Sequence, residues 1–351
     1  MNHRRRRLLA VTALTAAALL LAACAPTSTA SPSATPRVTR SAEPTPSPTP
    51  TPTPTPTHVV QTAPLRGTVV EDAAALGPAL SAKIDNHPDA RPQWGLERTD
   101  IVFEELVEGG ITRYVAVWHS GVPAQIGPIR SIRPMDPDII APFGGIVAYS
   151  GGQGRFVRMM KATDVHNAIH GGADDRFMYR TTKRTAPHNV IVEARKLRAR
   201  YATLAPPAVQ FLFAPRGHAP IFGEDAAGMD VRFARDSARS WRWDAGSAAY
   251  LRSQNGRADV DASGKRLRAT NVVVLRVAID WSYGIVPRTV MVGGSDAWIS
   301  TGGRVIHGRW SKQSQTSPIT LTNSAGGEIR LAPGNTWVEL VPTSGSISVV
   351  G

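Results

Sequence analysis

Asp85, Glu105 and Glu108, with Arg113, Arg130, Arg133 and His188, are the side chains of this 351-residue chain whose types and spacing suit chemistry best. A pair of carboxylates can serve as acid and base at a glycosidic or peptide bond. Arg130 and Arg133, three residues apart in Gly127-Pro128-Ile129-Arg130-Ser131-Ile132-Arg133, can form a fork for a carboxylate or phosphate. His188 can carry a proton between them. Asn86, Arg91, Ser131 and Asn189 stand beside these residues in the sequence and complete the candidate ligand set. The same inventory also describes an ion network in which acids and arginines neutralise one another, the simpler account of any one of these residues.

The elements that must position this set are β-rich. Leu80 to Ile84 reads as a short strand running into a turn at Asp85-Asn86-His87-Pro88. Ile101 to Val107 and Ile111 to Trp118 read as a hairpin around Glu108-Gly109-Gly110. A period of two places Ile101, Phe103, Glu105 and Val107 on one face, with Val102, Glu104, Leu106 and Glu108 on the other. Glu105 therefore lies on an apolar face and needs a partner, because a lone buried charge is costly. Arg113, Arg130 and Arg133 are the expected partners. Further along come a strand at Gly144 to Ser150, a helix from Arg155 to Lys161, a strand at Val190 to Val192 and a closing helix from Glu193 to Tyr201.

Several of these segments occur in one order: Lys83-Ile84-Asp85-Asn86, Arg91-Pro92-Gln93, Asp100 to Arg113, Gly127 to Arg133 and Ala186-Pro187-His188-Asn189. Gly308-Arg309-Trp310-Ser311-Lys312 and Gly334-Asn335-Thr336-Trp337-Val338-Glu339 continue the series. Together they resemble the YerB-like bacterial lipoproteins over nearly all of the chain beyond residue 63. The resemblance implies a two-part α+β protein of the cell envelope, with a domain of unknown function at each end and no established catalytic mechanism.

Other chemistries are poorly supported. His166 and His170 stand near Asp174 and Asp175, but Gly171 and Gly172 intervene and no third histidine has useful spacing, so no metal is expected. Ser150 before Gly151-Gly152 lacks the frame of a nucleophile elbow. The one cysteine, Cys24, excludes disulfides and thiolate metal sites from the folded part. No cofactor is expected.

Beyond Pro215 the pattern changes to short β runs separated by Gly, Asn and Asp turns, with strands expected at 272–279, 289–292, 297–300, 319–322, 328–331 and 337–341. Six of the eight tryptophans fall here, which suits core packing first and sugar stacking second. Trp310 beside Lys312 is the pair best suited to an acidic sugar, with Trp337 as a further candidate.

At the other end, Arg4 to Arg7 precede an uncharged run of about 16 residues from Leu8 to Ala23, too short to span a bilayer as a helix. The run stops at small residues before Cys24, as a lipoprotein signal peptide does. Residues 25–57 are mostly Pro, Thr, Ser and Ala, a composition that favours an extended spacer reaching on the order of 100 Å. Without residues 1–23 the chain keeps 36 basic against 27 acidic residues, a surface suited to anionic partners.

The expected organisation is a signal peptide at 1–23, a lipid-anchored disordered Pro/Thr linker at 24–63, a mixed α/β-sheet domain at 64–216 and a β-rich domain at 217–351. The expected fold class is α+β. The expected role is a non-catalytic binding or scaffold module at the membrane's extracytoplasmic face, engaging peptidoglycan, another anionic wall polymer or wall-synthesis proteins, and no nucleic acid. The rival expectation is a wall-active hydrolase or lyase using Glu105 or Glu108 beside the arginines.

Overall fold

A computed structural model of the chain describes residues 61–72, 76–215 and 222–351. The signal segment, Cys24 and all but the last residues of the proposed linker lie outside the described residues, as do residues on either side of the 216/217 boundary. Residues 58–351 form one compact unit.

In the first half, β1 (Leu80–Asp85), β2 (Ile101–Leu106) and β3 (Thr112–Trp118) are followed by α1 (Asp136–Ile140), β4 (Ile146–Tyr149), α2 (Gly154–Lys161), β5 (His166–Ile169) and α3 (Ala194–Arg200). The second half adds β6 (Gly228–Ala234), β7 (Ser237–Asp244), β8 (Ala249–Gln254), β9 (Asn271–Val277), β10 (Gly293–Thr301), β11 (Arg304–Lys312), β12 (Thr336–Pro342) and β13 (Ser346–Val350).

The expected hairpin is present: β2 and β3 are antiparallel, with Glu105 opposite Arg113, and the chain reverses through Glu108–Gly110. Gly109 and Gly110 both have a φ of 72°, a conformation that glycine adopts without a Cβ clash. The strand expected at 328–331 is absent; Glu328 and Leu331 make only isolated bridges. Strands β6, β7 and β8 and helix α1, none of them read from the sequence, complete the fold.

Both halves build one sheet. Its eleven strands include β11, β10, β9, β12, β2, β3, β1, β4 and β5 in that order, and β12 of the second half pairs in parallel with β2 of the first. One face packs beneath α1 and α2, with Phe103, Val115, Val117 and Val147 against Ile132, Met135, Ile139, Phe156 and Met160. The other face packs against the six-stranded sheet carrying β8, β7, β6 and β13, where Val102, Tyr114, Ala116 and Trp337 meet Trp241, Tyr250 and Phe233. Both faces are covered, so β1, β2 and β3 are buried at every position. Polar side chains on these strands must therefore find partners within the protein. Among the described residues no helix is long and apolar enough to cross a membrane.

Candidate functional site

The polar residues collect where β1 and β2 end and β3 begins, on both faces of the sheet. On the helical face, alternation along β1 points Lys83 and Asp85 the same way as Glu105 and Arg113. Glu105 is fully buried and paired with Lys83, whose Nζ also donates to Asp136 Oδ1 at 2.8 Å. Burial lowers the Lys83 pKa to about 8, against the opposing pull of Asp136. The partner of Glu105 is thus a lysine inside the sheet rather than an arginine. Asp136 in turn accepts the backbone N–H of Arg133 at 2.5 Å, which fixes the start of the 133–136 turn.

Asp85 is the organiser of the outer part. Its Oδ1 accepts the backbone N–H of His87 at 3.1 Å, while Oδ2 lies 2.6 Å from His188 Nδ1 and 3.1 Å from Arg130 Nε. Backbone bonds from Asp85 N to Pro128 O and from Arg130 N to Lys83 O lay the Gly127–Arg133 segment against the end of β1. The opposite side of that segment is held by Ser150 N to Arg130 O and Ile132 N to Gly151 O. Arg133 Nε lies 2.9 Å from Glu108 Oε2. Burial works to raise the Glu108 pKa, but that hydrogen bond, a backbone hydrogen bond and the charges of Arg133 and Arg113 together outweigh it, and the pKa is lowered.

Arg113 stands between these pairs without one of its own. It is 6% exposed, and one of its terminal nitrogens donates to Ser131 O at 3.0 Å. Among the described residues no carboxylate lies within 4 Å of it, and its Nε is buried with no hydrogen-bond partner. Burial, then Arg133, pushes its pKa down to about 10, against the pull of Asp85 and Glu108. A buried cation whose neighbouring carboxylates are paired with other residues is only partly compensated.

The opposite face holds a closed network. Fully buried Glu104 accepts Arg239 Nε at 2.7 Å and Thr112 Oγ1 at 2.5 Å, and also pairs with Arg252. Burial alone would raise its pKa; Arg239 and Arg252 win and hold it at about 2. Glu339, opposite Glu104 on the neighbouring strand, accepts Trp241 Nε1 at 2.8 Å. Burial, with Glu104 beside it, pushes its pKa up to about 8. Asn86 belongs to this network, donating to Thr112 Oγ1 at 2.8 Å and bonding Gln254.

The remaining candidates divide. Ser131 contributes its carbonyl to Arg113 and Arg133. Asn189 clamps its own loop through Arg180, Thr181 and Arg184. Arg91 lines a separate cavity on the Glu104 side. Trp310, Lys312 and Trp337 do not form a sugar platform. Trp310 is 3% exposed and donates to Arg276 O, Lys312 is turned inward onto the carbonyls of Ser314, Gln315 and Ser317, and Trp337 packs between Tyr114 and Trp241.

His166 and His170 form two separate pairs, with Asp174 at 2.8 Å and Asp175 at 2.6 Å. His87, Asp89 and His188 bring three ligand atoms within 4.8 Å of one another. The two imidazoles are stacked, however, 4.3 Å apart and 16° from parallel. Their in-plane lone pairs then run side by side instead of converging on one ion.

Comparison with known proteins agrees with this architecture. Two family models match, the N-terminal domain of the "Protein of unknown function (DUF3048)" over residues 65–206 and its C-terminal domain over residues 229–338. YerB of Bacillus subtilis (strain 168), a lipoprotein by its name, is 25% identical over 305 residues, which span 82% of this chain and 88% of YerB. A crystal structure of Bacillus subtilis YerB shares the fold with a TM-score of 0.71 at 24% identity, covering 82% of this chain and 99% of that one. The resemblance read from the motifs is upheld, and with it the α+β fold with few helices.

Proposed function

Since the chain belongs to the DUF3048 family, whose domains carry no assigned function, we propose that it is a lipid-anchored envelope protein that binds an anionic wall component, without turnover, at the arginine-rich end of its sheet. The observation that carries this reading is Arg113: a buried guanidinium with no carboxylate partner, between Arg130 and Arg133 that have theirs. An incoming carboxylate or phosphate supplies the direct ion-pair partner that Arg113 lacks, and charge-assisted bonds to arginine are among the stronger polar contacts.

The glutamates argue against turnover. Glu105 is sealed beneath the surface on Lys83, and Glu108 is held ionised by Arg133, so neither is a ready proton donor. If the protein is an enzyme, the pair to carry it is His188 on Asp85, since a carboxylate at Nδ1 orients a histidine as a base through its other nitrogen. His188→Gln separates this second reading, because it removes a turnover but only weakens binding.

The anchor rests on the Arg4–Arg7 and Leu8–Ala23 segments before Cys24, and on the lipoprotein name of YerB. Labelling with radioactive palmitate tests it: label and membrane retention are expected in the wild-type chain and absent from Cys24→Ser. Binding is tested by co-sedimentation with purified wall sacculi. Saturable retention that weakens with salt and falls in Arg113→Met supports the reading; equal retention of both proteins overturns it.

A further inference from the structure

A cavity of about 500 Å³ opens between the 88–92 loop and the 254–260 hairpin. Two arginines line it, Arg91 from the loop and Arg257 from the short strand Arg257–Ala258. Among the described residues neither has a carboxylate within 4 Å, and Arg91 Nε is buried without a hydrogen-bond partner. Burial lowers the Arg91 pKa, and the nearby Arg239 and Arg252 lower it further, against Tyr114 and Asp259.

The acid in the lining, Asp259, is already committed, since Arg252 pairs with it from the core. Gln254 is likewise tied to Asn86 through both ends of its amide. The cavity therefore offers two guanidinium groups with no counter-charge of their own. Pro88, Pro92 and Val260 add apolar wall. The electrostatic neighbours of Arg91 belong to the Glu104 network, so this cavity sits on the opposite face of the sheet from Arg113.

We propose that this cavity is a second anion site, which takes the oxyanion of a compact polyol or sugar unit, a phosphate ester or a carboxylate, between Arg91 and Arg257. Two guanidinium groups supply the charge-assisted donors, and the proline rings and Val260 pack against the carbon skeleton of the ligand. The site is independent of the Arg113 cluster and stands or falls separately.

The test is calorimetric titration of the full chain carrying Arg113→Met, which disables the other anion site, with glycerol phosphate, glucuronate and inorganic phosphate, and with glucose as the neutral control. Saturable binding of at least one anionic probe and none of glucose is expected, and the tighter of glycerol phosphate and glucuronate identifies phosphate or carboxylate as the natural group. Arg257→Met, at an exposed position with no ion pair to lose, is expected to weaken that binding about tenfold or more, and Arg91→Gln similarly. Absence of binding by all three anions in the Arg113→Met background, or binding there that survives Arg257→Met, would each overturn the proposal.

Discussion

Replacing Glu339 by glutamine should make the protein more stable at neutral pH, although it removes a buried acid that accepts a hydrogen bond. In the folded chain its pKa is pushed up to about 8, by burial and by Glu104, from the ordinary carboxylate value of 4.5. The folded state therefore keeps a proton that the unfolded state releases between those values, so this group's contribution is fully present below about pH 4.5 and is lost as pH rises through about 8. At 1.36 kcal/mol per pH unit, the loss between about pH 5 and about pH 7.5 comes to roughly 3 kcal/mol. Glutamine is neutral throughout and keeps an oxygen to accept Trp241 Nε1. Urea unfolding at the two pH values should show the stability gap, variant minus wild type, wider by roughly 3 kcal/mol at the higher pH. A gap that does not change with pH would refute the idea that Glu339 is held protonated beside Glu104.

Three further outcomes follow from the same side chains. Glu104→Gln strands Arg239, leaves Arg252 with Asp259 alone, and should cost about 3–5 kcal/mol in chemical unfolding. The Glu104 pKa lies below its unfolded value, so the stability that group gives is present above about pH 4.5 and drains away as pH falls towards 2, and the variant should lose that acid sensitivity. Arg113→Met should change stability by less than about 1 kcal/mol, because losing the bond to Ser131 O is offset by removing a buried cation with no direct ion-pair partner; a loss above that size in a urea titration would show that Arg113 is structural. Trp310→Ala should cost about 3–5 kcal/mol and leave retention on sacculi per folded molecule unchanged, as expected for a core residue rather than a sugar platform.

Much of the strand geometry is legible in the sequence, because alternation has a physical cause. Glu104 and Glu105 are adjacent, and a period of two sends them to opposite faces, where one finds Arg239 and Arg252 and the other finds Lys83. The partners were not legible. Lys83 lies in a strand and a motif whose pattern says nothing of a buried ion pair, and Asp136 begins a helix too short to leave a periodic signal. Arg239 and Arg252 come from strands 135 and 148 residues away, rich in Ser and Arg, whose burial is created by the second sheet and not by their own hydropathy. Trp310 and Lys312 carried a usable signal: they are two apart on one strand with Gly308, and all three face inward. The period of two along this strand rules out a surface platform made of that pair. Arg257 lacks any such pattern, and only the cavity next to it singles it out.

The central claim is that the Arg113 end of the sheet binds a wall anion and does not cut it. The most direct test incubates residues 58–351 with purified sacculi, then measures protein in the pellet and released fragments in the supernatant by mass spectrometry. Salt-sensitive retention that drops in Arg113→Met, with no fragments in any sample, is the predicted result. Fragments that appear with the wild-type protein and vanish with His188→Gln would contradict the account and make this protein an enzyme.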